Sequence, residues 1–218
     1  MERAILRQAQ ALYAGAPWRD RLHVAGRLAL CPFARLAEFV PPAGLIVDLG
    51  CGHGLFANAL ALESPERFVV GVEPAARKVA LARAARPARG RVEFVQGDAL
   101  SPPLAGPWQA ALLIDVLYLF DPHRQERLLR TCADRLAPGG VLVLKEMDER
   151  PRWKARLNWL EEWLAVRVLR ITLGGSAFTF RPLAEWAALC QRLGFETRVV
   201  RLDRGYYHPH GVVVGVRR

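Results

Sequence analysis

Three glycines follow a short apolar run near residue 50, and an acidic side chain stands just before them. Asp48 lies two residues before Gly50, and Gly52 and Gly54 follow at alternate positions. Glycines in this pattern let the chain turn sharply and leave backbone N–H groups facing a ligand. The following stretch, 55–63, has a helical composition and would point its positive N-terminal end at the same place. These residues predict a loop that binds a nucleotide-containing cofactor.

The next acidic landmark supports a ribose-binding role and narrows the kind of cofactor. Glu73 ends an apolar stretch and lies 19 residues beyond Gly54. In dinucleotide-binding proteins, an acidic residue about 20 positions beyond the glycines binds the ribose. The dinucleotide pattern, however, places its third glycine where Leu55 stands. The spacing therefore disfavours a nicotinamide oxidoreductase, which stays open as one alternative.

The segment Asp48-Leu49-Gly50-Cys51-Gly52-His53-Gly54 resembles the first motif of the class I S-adenosylmethionine-dependent methyltransferases, acidic-x-G-x-G-x-G. Later landmarks of that family stand in the family's order along the next hundred residues, ending with the turn Leu136-Ala137-Pro138-Gly139-Gly140. The resemblance implies S-adenosyl-L-methionine as cofactor and S-adenosyl-L-homocysteine as product. It also implies nine cofactor-binding residues: Asp48, Gly50, Cys51, Gly52, Glu73, Pro74, Asp98, Ala99 and Asp115.

The hydrophobic pattern alternates short apolar runs with helical stretches, which predicts an α/β fold. The resemblance implies a mostly parallel seven-stranded sheet with the strand order 3-2-1-4-5-7-6 and helices on both faces. Strands are expected at 45–49, 68–72, 92–96, 110–114, 141–144, 195–202 and 211–216. Helices are expected at 2–14, 20–30, 33–39, 55–63, 75–85, 122–136 and 182–193.

The length of 218 residues suits one domain with a well-buried core. We therefore interpret 1–218 as a single methyltransferase domain. Residues 1–44 would form N-terminal helices that cover the cofactor, with Tyr13, Trp18, Arg19 and His23 as candidates for that cover or for plain packing. Residues 45–146 would be the cofactor-binding core, 147–180 a helical insertion after strand five, and 181–218 the final helix and closing strand pair.

The insertion contains a predicted amphipathic helix over 153–171. One stripe of apolar residues at helical spacing suits core packing. A second face, with Trp159, Trp163 and Val166, is a candidate for a substrate lid or for contact with a membrane surface. A plain packed helix explains the same pattern equally well.

The net charge of +10 is unevenly distributed. Residues 45–147 carry twelve basic and eleven acidic side chains, whereas 148–218 carry thirteen and seven. A basic periphery attracts acidic small molecules, anionic membranes or nucleic acid. A compositional bias towards arginine would also explain the excess.

Cysteine usage and hydropathy bear on location. The four cysteines lie far apart, without a metal-binding or disulfide spacing, so no metal is expected. No apolar run reaches the roughly 18 residues of a membrane span, and the N-terminus lacks a signal-peptide core. We expect a cytoplasmic protein, peripheral to a membrane if the helix at 153–171 contacts one.

The proposed reaction moves a methyl group to a small organic or lipid-like acceptor by in-line displacement. Four residues are candidates for a base or a positioning group, although no motif specifies them: Tyr118, His123, His208 and His210. A surface or structural role is open for each. The partner is expected to be the small-molecule or lipid-like substrate, and the oligomeric state is not determined by the sequence.

Two further alternatives share the same core. An RNA or protein methyltransferase would use the basic periphery, and a non-catalytic subunit would bind the cofactor without turning over alone. The turn Asp115-Val116-Leu117-Tyr118 differs from the N/D-P-P-Y/F signature of enzymes that methylate amino groups in nucleic acids. A nucleic-acid partner is therefore not expected.

Overall fold

The computed structural model describes residues 1–148, 181–206 and 208–218. The predicted helix at 153–171 lies outside these residues, as does the rest of the predicted insertion after residue 148. The candidate lid or membrane contact in that helix therefore stays a prediction.

The predicted sheet is confirmed: seven strands lie in the order β3-β2-β1-β4-β5-β7-β6. Neighbours among the first five strands pair in parallel, whereas β7 pairs antiparallel to both β5 and β6. The strands are β1 (Gly44–Leu49), β2 (Arg67–Glu73), β3 (Arg91–Gln96), β4 (Trp108–Ile114), β5 (Leu136–Met147), β6 (Phe195–Arg201) and β7 (His210–Arg217).

The helices follow the predicted positions closely. They are α1 (Arg3–Ala11), α2 (Trp18–Leu30), α3 (Phe33–Leu36), α4 (Leu55–Glu63), α5 (Ala76–Ala84), α6 (Pro122–Arg135) and α7 (Leu183–Arg192). Short 3-10 turns occupy Ala37–Phe39 and Leu117–Leu119.

Local signals place the ends of α6 and α7. Pro122 occupies the first turn of α6, and the side chain of Asp121 caps that helix by accepting a hydrogen bond from the Arg124 N–H at 3.0 Å. After α7, Gly194 adopts a positive φ of 89°, which terminates the helix at low cost.

Strand β5 begins earlier than the sequence pattern predicts. Leu136 already pairs with Trp108, and the regular ladder resumes where Val141 pairs with Ala110. The pairing is irregular between these two points, where the Pro138-Gly139-Gly140 turn lies. The apolar run alone showed only the regular part of the strand.

Apolar side chains alternate between the two faces of the sheet, as the pleat requires. Ile46 and Leu112 join a cluster under α1 to α5, whereas Val47 and Leu113 join a second cluster under α6 and α7. Buried on both faces, β1 and β4 form the centre of a three-layer structure.

None of the helices within residues 1–148, 181–206 and 208–218 combines the length and apolar character needed to cross a bilayer.

Replacing Leu112 with Ala should lower the free energy of unfolding by about 3 kcal/mol, because the side chain is fully buried in the central strand. Chemical denaturation measures this change. Val199→Ala, at a partly exposed position on edge strand β6, is the matched control and should cost well under half as much. Equal losses for both variants would contradict the central position of β4.

Candidate functional site

A cavity of about 510 Å³ opens at the carboxyl ends of the parallel strands. This is the edge where ligands bind in open α/β sheets. All nine residues predicted to bind the cofactor line it, and so does one of the four catalytic candidates, Tyr118. The fold therefore brings together side chains separated by up to about 70 positions in the sequence. The nine are Asp48, Gly50, Cys51, Gly52, Glu73, Pro74, Asp98, Ala99 and Asp115.

The glycine turn leaves room on the cavity side and none on the protein side. A Cβ at Gly54 would lie 2.5 Å from the Phe94 ring, and the residue has a φ of 79° at the start of α4. A Cβ at Gly52 would meet nothing within 4 Å. Gly54 thus allows close packing, whereas Gly52 presents bare backbone to the open space.

Glu73 ties the end of β2 to this turn. Its Oε2 accepts a hydrogen bond from the Gly52 N–H at 3.1 Å, and its Oε1 accepts one from the Ala75 N–H at the same distance. The Lys78 ammonium lies 3.9 Å from Oε1. A carboxylate has about four lone-pair sites, so further acceptor capacity remains for hydroxyl donors in the cavity.

Asp115 sits at the end of β4 between two cations. Arg27 of α2 donates a hydrogen bond to Oδ2 at 2.8 Å, and the fully buried ammonium of Lys145 pairs with Oδ1. Burial alone would raise the pKa of Asp115, but the two positive charges outweigh it and hold the pKa well below its usual range. Asp115 also has a positive φ of 58°, a conformation that aspartate tolerates better than most residues.

Two other buried carboxyl groups near the cavity behave in the opposite way. Burial raises the pKa of Asp48 to about 7 against the opposing charge of Arg27. Burial, with the charge of Asp115 adding to it, raises the pKa of Glu146 to about 8. Oε1 of Glu146 accepts hydrogen bonds from the Val116 and Leu117 N–H groups at 3.2 and 2.8 Å. Glu146 thereby fixes the loop that carries Tyr118.

Helix α2 lies against the glycine turn through a buried polar cluster. Asp20 receives two hydrogen bonds from Arg77, at 2.9 and 2.6 Å, and its Oδ1 lies 3.1 Å from Nε2 of His53. The Tyr13 hydroxyl donates to the His53 carbonyl at 2.5 Å and accepts from Asn58 at 3.1 Å. The N-terminal segment is thus attached directly to the loop that lines the cavity.

Of the four predicted cover residues, His23 alone lines the cavity. It packs against His53, with ring centroids 4.6 Å apart and ring planes tilted by 37°. Tyr13 is buried beneath the turn, whereas Trp18 is 67% exposed and Arg19 stacks on it.

The three histidine candidates do not line the cavity. His123 is exposed on α6. His208 and His210 are buried side by side, and His210 Nε2 lies 2.7 Å from the Leu30 carbonyl oxygen at the end of α2. Burial lowers the pKa of His210 to about 3, so the ring is neutral at physiological pH. Their catalytic assignment stays untested, and the structure gives His210 a packing role.

Sequence patterns did not identify Arg27, Lys145 or Glu146. No motif contains them, and their importance arises from tertiary contacts between α2, β4 and β5. The available signal was the presence of charged residues in the otherwise apolar strand β5, where Lys145 and Glu146 directly follow a buried run.

Residues 46–140 match the family model described as a methyltransferase domain, and the strand order is that of the class I S-adenosylmethionine-dependent methyltransferases. This match spans the glycine turn, Glu73, Asp98 and Asp115. S-adenosylmethionine is the cofactor of that family.

Known relatives act on different acceptors. The chain is 40% identical over 91 residues to ribosomal RNA large subunit methyltransferase G of Streptomyces avermitilis, covering 41% of this chain and 23% of that protein. It is 32% identical over 169 residues to ribosomal protein L11 methyltransferase of Pelotomaculum thermopropionicum, covering 75% and 48%. It is 27% identical over 126 residues to malonyl-[acyl-carrier protein] O-methyltransferase of Methylococcus capsulatus, covering 58% and 46%. The chain thus spans less than half the length of each of these relatives.

A solved structure shares the fold. CalO1, a methyltransferase in calicheamicin biosynthesis determined in its SAH-bound form, superposes with a TM-score of 0.69 at 21% identity, covering 95% of this chain and 60% of that one.

Replacing Lys145 with Met should lower the free energy of unfolding by about 3 kcal/mol, because Asp115 would keep a buried charge with only one of its two cations. Denaturant titration measures the loss. Arg130→Met breaks an exposed pair with Glu126 and is the control, with an expected change below about 1 kcal/mol. A Lys145→Met loss as small as the control's would show that the buried pair does not stabilise the fold.

Replacing Glu146 with Gln should flatten the pH dependence of stability. The pKa of Glu146 is raised from 4.5 to about 8, so the folded chain keeps a proton that the unfolded chain loses. Its stabilising contribution is therefore present below about pH 4.5 and is lost as the pH rises towards 8. The raised pKa of Asp48 makes the stability fall with pH in the same way, up to about pH 7. The lowered pKa of Asp115 has the opposite effect on stability, and only at acidic pH.

Unfolding free energies measured across this range test the effect. Glu146→Gln keeps an oxygen for the Val116 and Leu117 N–H groups, and the fall in stability should be shallower by up to about 1.4 kcal/mol per pH unit. Glu93→Gln, on the exposed side of β3, should keep the wild-type slope. An unchanged slope in Glu146→Gln would mean that Glu146 is ionised throughout.

Proposed function

We propose that the protein transfers the methyl group of S-adenosylmethionine to a small organic or lipid-like acceptor. The observation that carries the proposal is that one cavity is lined by all nine predicted cofactor residues and, at its other end, by apolar residues and arginines. When bound, S-adenosylmethionine supplies a methyl group already activated on a sulfonium, so the protein's main task is placement.

The residues at one end of the cavity fit the adenosyl part of the cofactor. Glu73 keeps acceptor sites for ribose hydroxyls beyond its two backbone hydrogen bonds. Asp98 uses Oδ1 to accept from the Leu100 N–H at 2.9 Å, which leaves Oδ2 for an exocyclic amino group. The bare backbone at Gly52 provides the cradle that a Cβ would fill. Asp48, with its raised pKa, is suited to a cationic amino group that would favour its ionised form.

The other end of the cavity is suited to an acceptor with apolar and acidic parts. Val24, Phe33 and Phe120 supply apolar surface, and Arg27 and Arg124 supply positive charge. Apart from its bond to Asp115, the Arg27 guanidinium makes no hydrogen bond within the described residues, and the side chain is 35% exposed. Arginine presents five N–H donors, so capacity remains for a carboxylate or phosphate.

Tyr118 is the one catalytic candidate that faces this end. Its hydroxyl can orient an acceptor or relay the acceptor's proton to water. An acceptor that is already anionic needs no base. The role of Tyr118 in positioning the acceptor is part of the proposal.

A methyltransferase acting on RNA or protein is the second candidate. It is favoured by the ribosomal RNA and ribosomal protein methyltransferases among the relatives and by the net charge of +10. This alternative predicts a larger acceptor than the cavity itself holds, with binding that weakens steeply as salt increases. A cofactor-binding subunit that turns over only beside another chain is the remaining alternative.

Replacing Glu73 with Gln should weaken S-adenosylmethionine binding at least tenfold, or about 1.4 kcal/mol, because charge-assisted hydrogen bonds to the ribose are lost while one acceptor oxygen stays for the backbone. Titration calorimetry measures the affinity. Glu93→Gln removes a nearby exposed carboxylate and should bind like the wild type. Wild-type affinity in Glu73→Gln, with an unchanged melting temperature, would refute the cofactor placement.

Transfer of labelled methyl into fractionated cell extract then identifies the acceptor. Label in the small-molecule or lipid fraction that is lost in Glu73→Gln supports the proposal. Label in RNA or protein moves the function to the second candidate, and binding without transfer points to a required partner.

A further inference from the structure

Helix α2 has a second apolar face, directed away from the cavity. Its inner side carries Asp20, Val24 and Arg27, which contact the core or line the cavity. On the outer side, Trp18 and Leu22 are 67% and 65% exposed. A helix that already packs on one side would be expected to be polar on the other.

The outer face is a continuous stripe free of charged side chains. Trp18, Leu22, Ala25 and Ala29 follow at spacings of four, three and four residues, which keeps them on one side of an α-helix. We call these four residues the outer stripe.

Arginines border the outer stripe on both sides. At about 100° per residue, Arg21 lies about 60° to one side of Trp18 and Arg19 about 100° to the other. Both are exposed, and neither forms an ion pair within the described part of the chain. The Arg19 guanidinium lies 5.4 Å from the centre of the Trp18 ring, which keeps this cation beside the apolar surface.

We propose that the outer stripe of α2 rests on an anionic lipid surface. An aromatic and leucine face bordered by arginines is the pattern of helices that lie in the membrane interface. Trp18 suits the headgroup level, and Arg19 and Arg21 complement the phosphates. A protein partner would need carboxylates arranged around an apolar surface. An anionic bilayer has both an apolar interior and anionic headgroups.

The position of α2 links this surface to the cavity. His23, Val24 and Arg27 line the cavity on the inner side of the same helix. The two sides of a helix with its side chains are about 10 Å apart. A lipid-like acceptor would therefore reach the cavity from a bilayer on which α2 rests. This link rests on the proposed function, although membrane binding itself does not.

Sedimentation of the full chain with vesicles tests the proposal. The protein should bind phosphatidylcholine vesicles that contain phosphatidylglycerol, bind pure phosphatidylcholine much less, and dissociate at high salt. The double variant Trp18→Ser/Leu22→Ser should reduce partitioning at least tenfold. Val199→Ser/Val216→Ser, at two exposed apolar positions on β6 and β7, is the matched control and should bind like the wild type.

A second variant pair tests the arginines. Arg19→Glu/Arg21→Glu should reduce binding at least tenfold, whereas Arg86→Glu/Arg89→Glu makes the same change of charge at two exposed arginines between α5 and β3 and should have a small effect. Equal losses of vesicle binding in both charge variants would mean that net charge alone explains the effect. That result would overturn the assignment to α2. Concentration-dependent self-association that Trp18→Ser/Leu22→Ser abolishes, without vesicle binding, would make the stripe a protein interface and overturn the proposal.

Cofactor binding by the same preparations separates the two hypotheses. Tight S-adenosylmethionine binding without vesicle binding would overturn the membrane surface and leave the proposed function. Vesicle binding without S-adenosylmethionine binding would overturn the function and leave the surface.

Discussion

The carboxylate of Asp115 joins three separate parts of the chain, and the shape of the cavity depends on it. Arg27 reaches it from α2, Lys145 reaches it from β5, and Asp115 itself ends β4. Removing three charges from water is costly, so this arrangement persists only because each charge has a partner within hydrogen-bonding distance. The result is that α2 is held across the cavity and not merely packed near it.

The glycine turn is held in the same manner by groups that a ligand would also use. Glu73 accepts N–H groups from Gly52 and Ala75, while His53 is fixed by Asp20 and Tyr13. Such contacts position the site before a ligand arrives, which reduces the ordering that binding would require. They also couple binding to local stability, because a side chain such as Glu73 serves the fold and the site together.

The sequence predicted the strand order and the helix positions well, but it did not predict the buried contacts between charged side chains. The strand order followed from the family motifs, and the bounds of α4 and the N-cap at Asp121 followed from local signals. The nine cofactor residues lie together because parallel strands end at one edge, which is a property of topology. Arg27 and Lys145 could not be predicted in this way, because a charged residue in a helix or at a strand end gives no indication of its partner across the sheet. The same applies to the early start of β5, where the turn interrupts the apolar pattern.

The raised pKa values at the cavity have a consequence for which ligands it accepts. The raised pKa values of Asp48 and Glu146 favour their protonated forms, so Arg27 and Lys145 are balanced mainly by Asp115. The acceptor end then carries a positive excess, which favours an anionic group beside Arg27. A cation placed next to Asp48 would instead lower the pKa of that carboxyl and release its proton. One set of buried charges can thus serve a cationic group beside Asp48 of β1 and an anionic one beside Arg27 of α2.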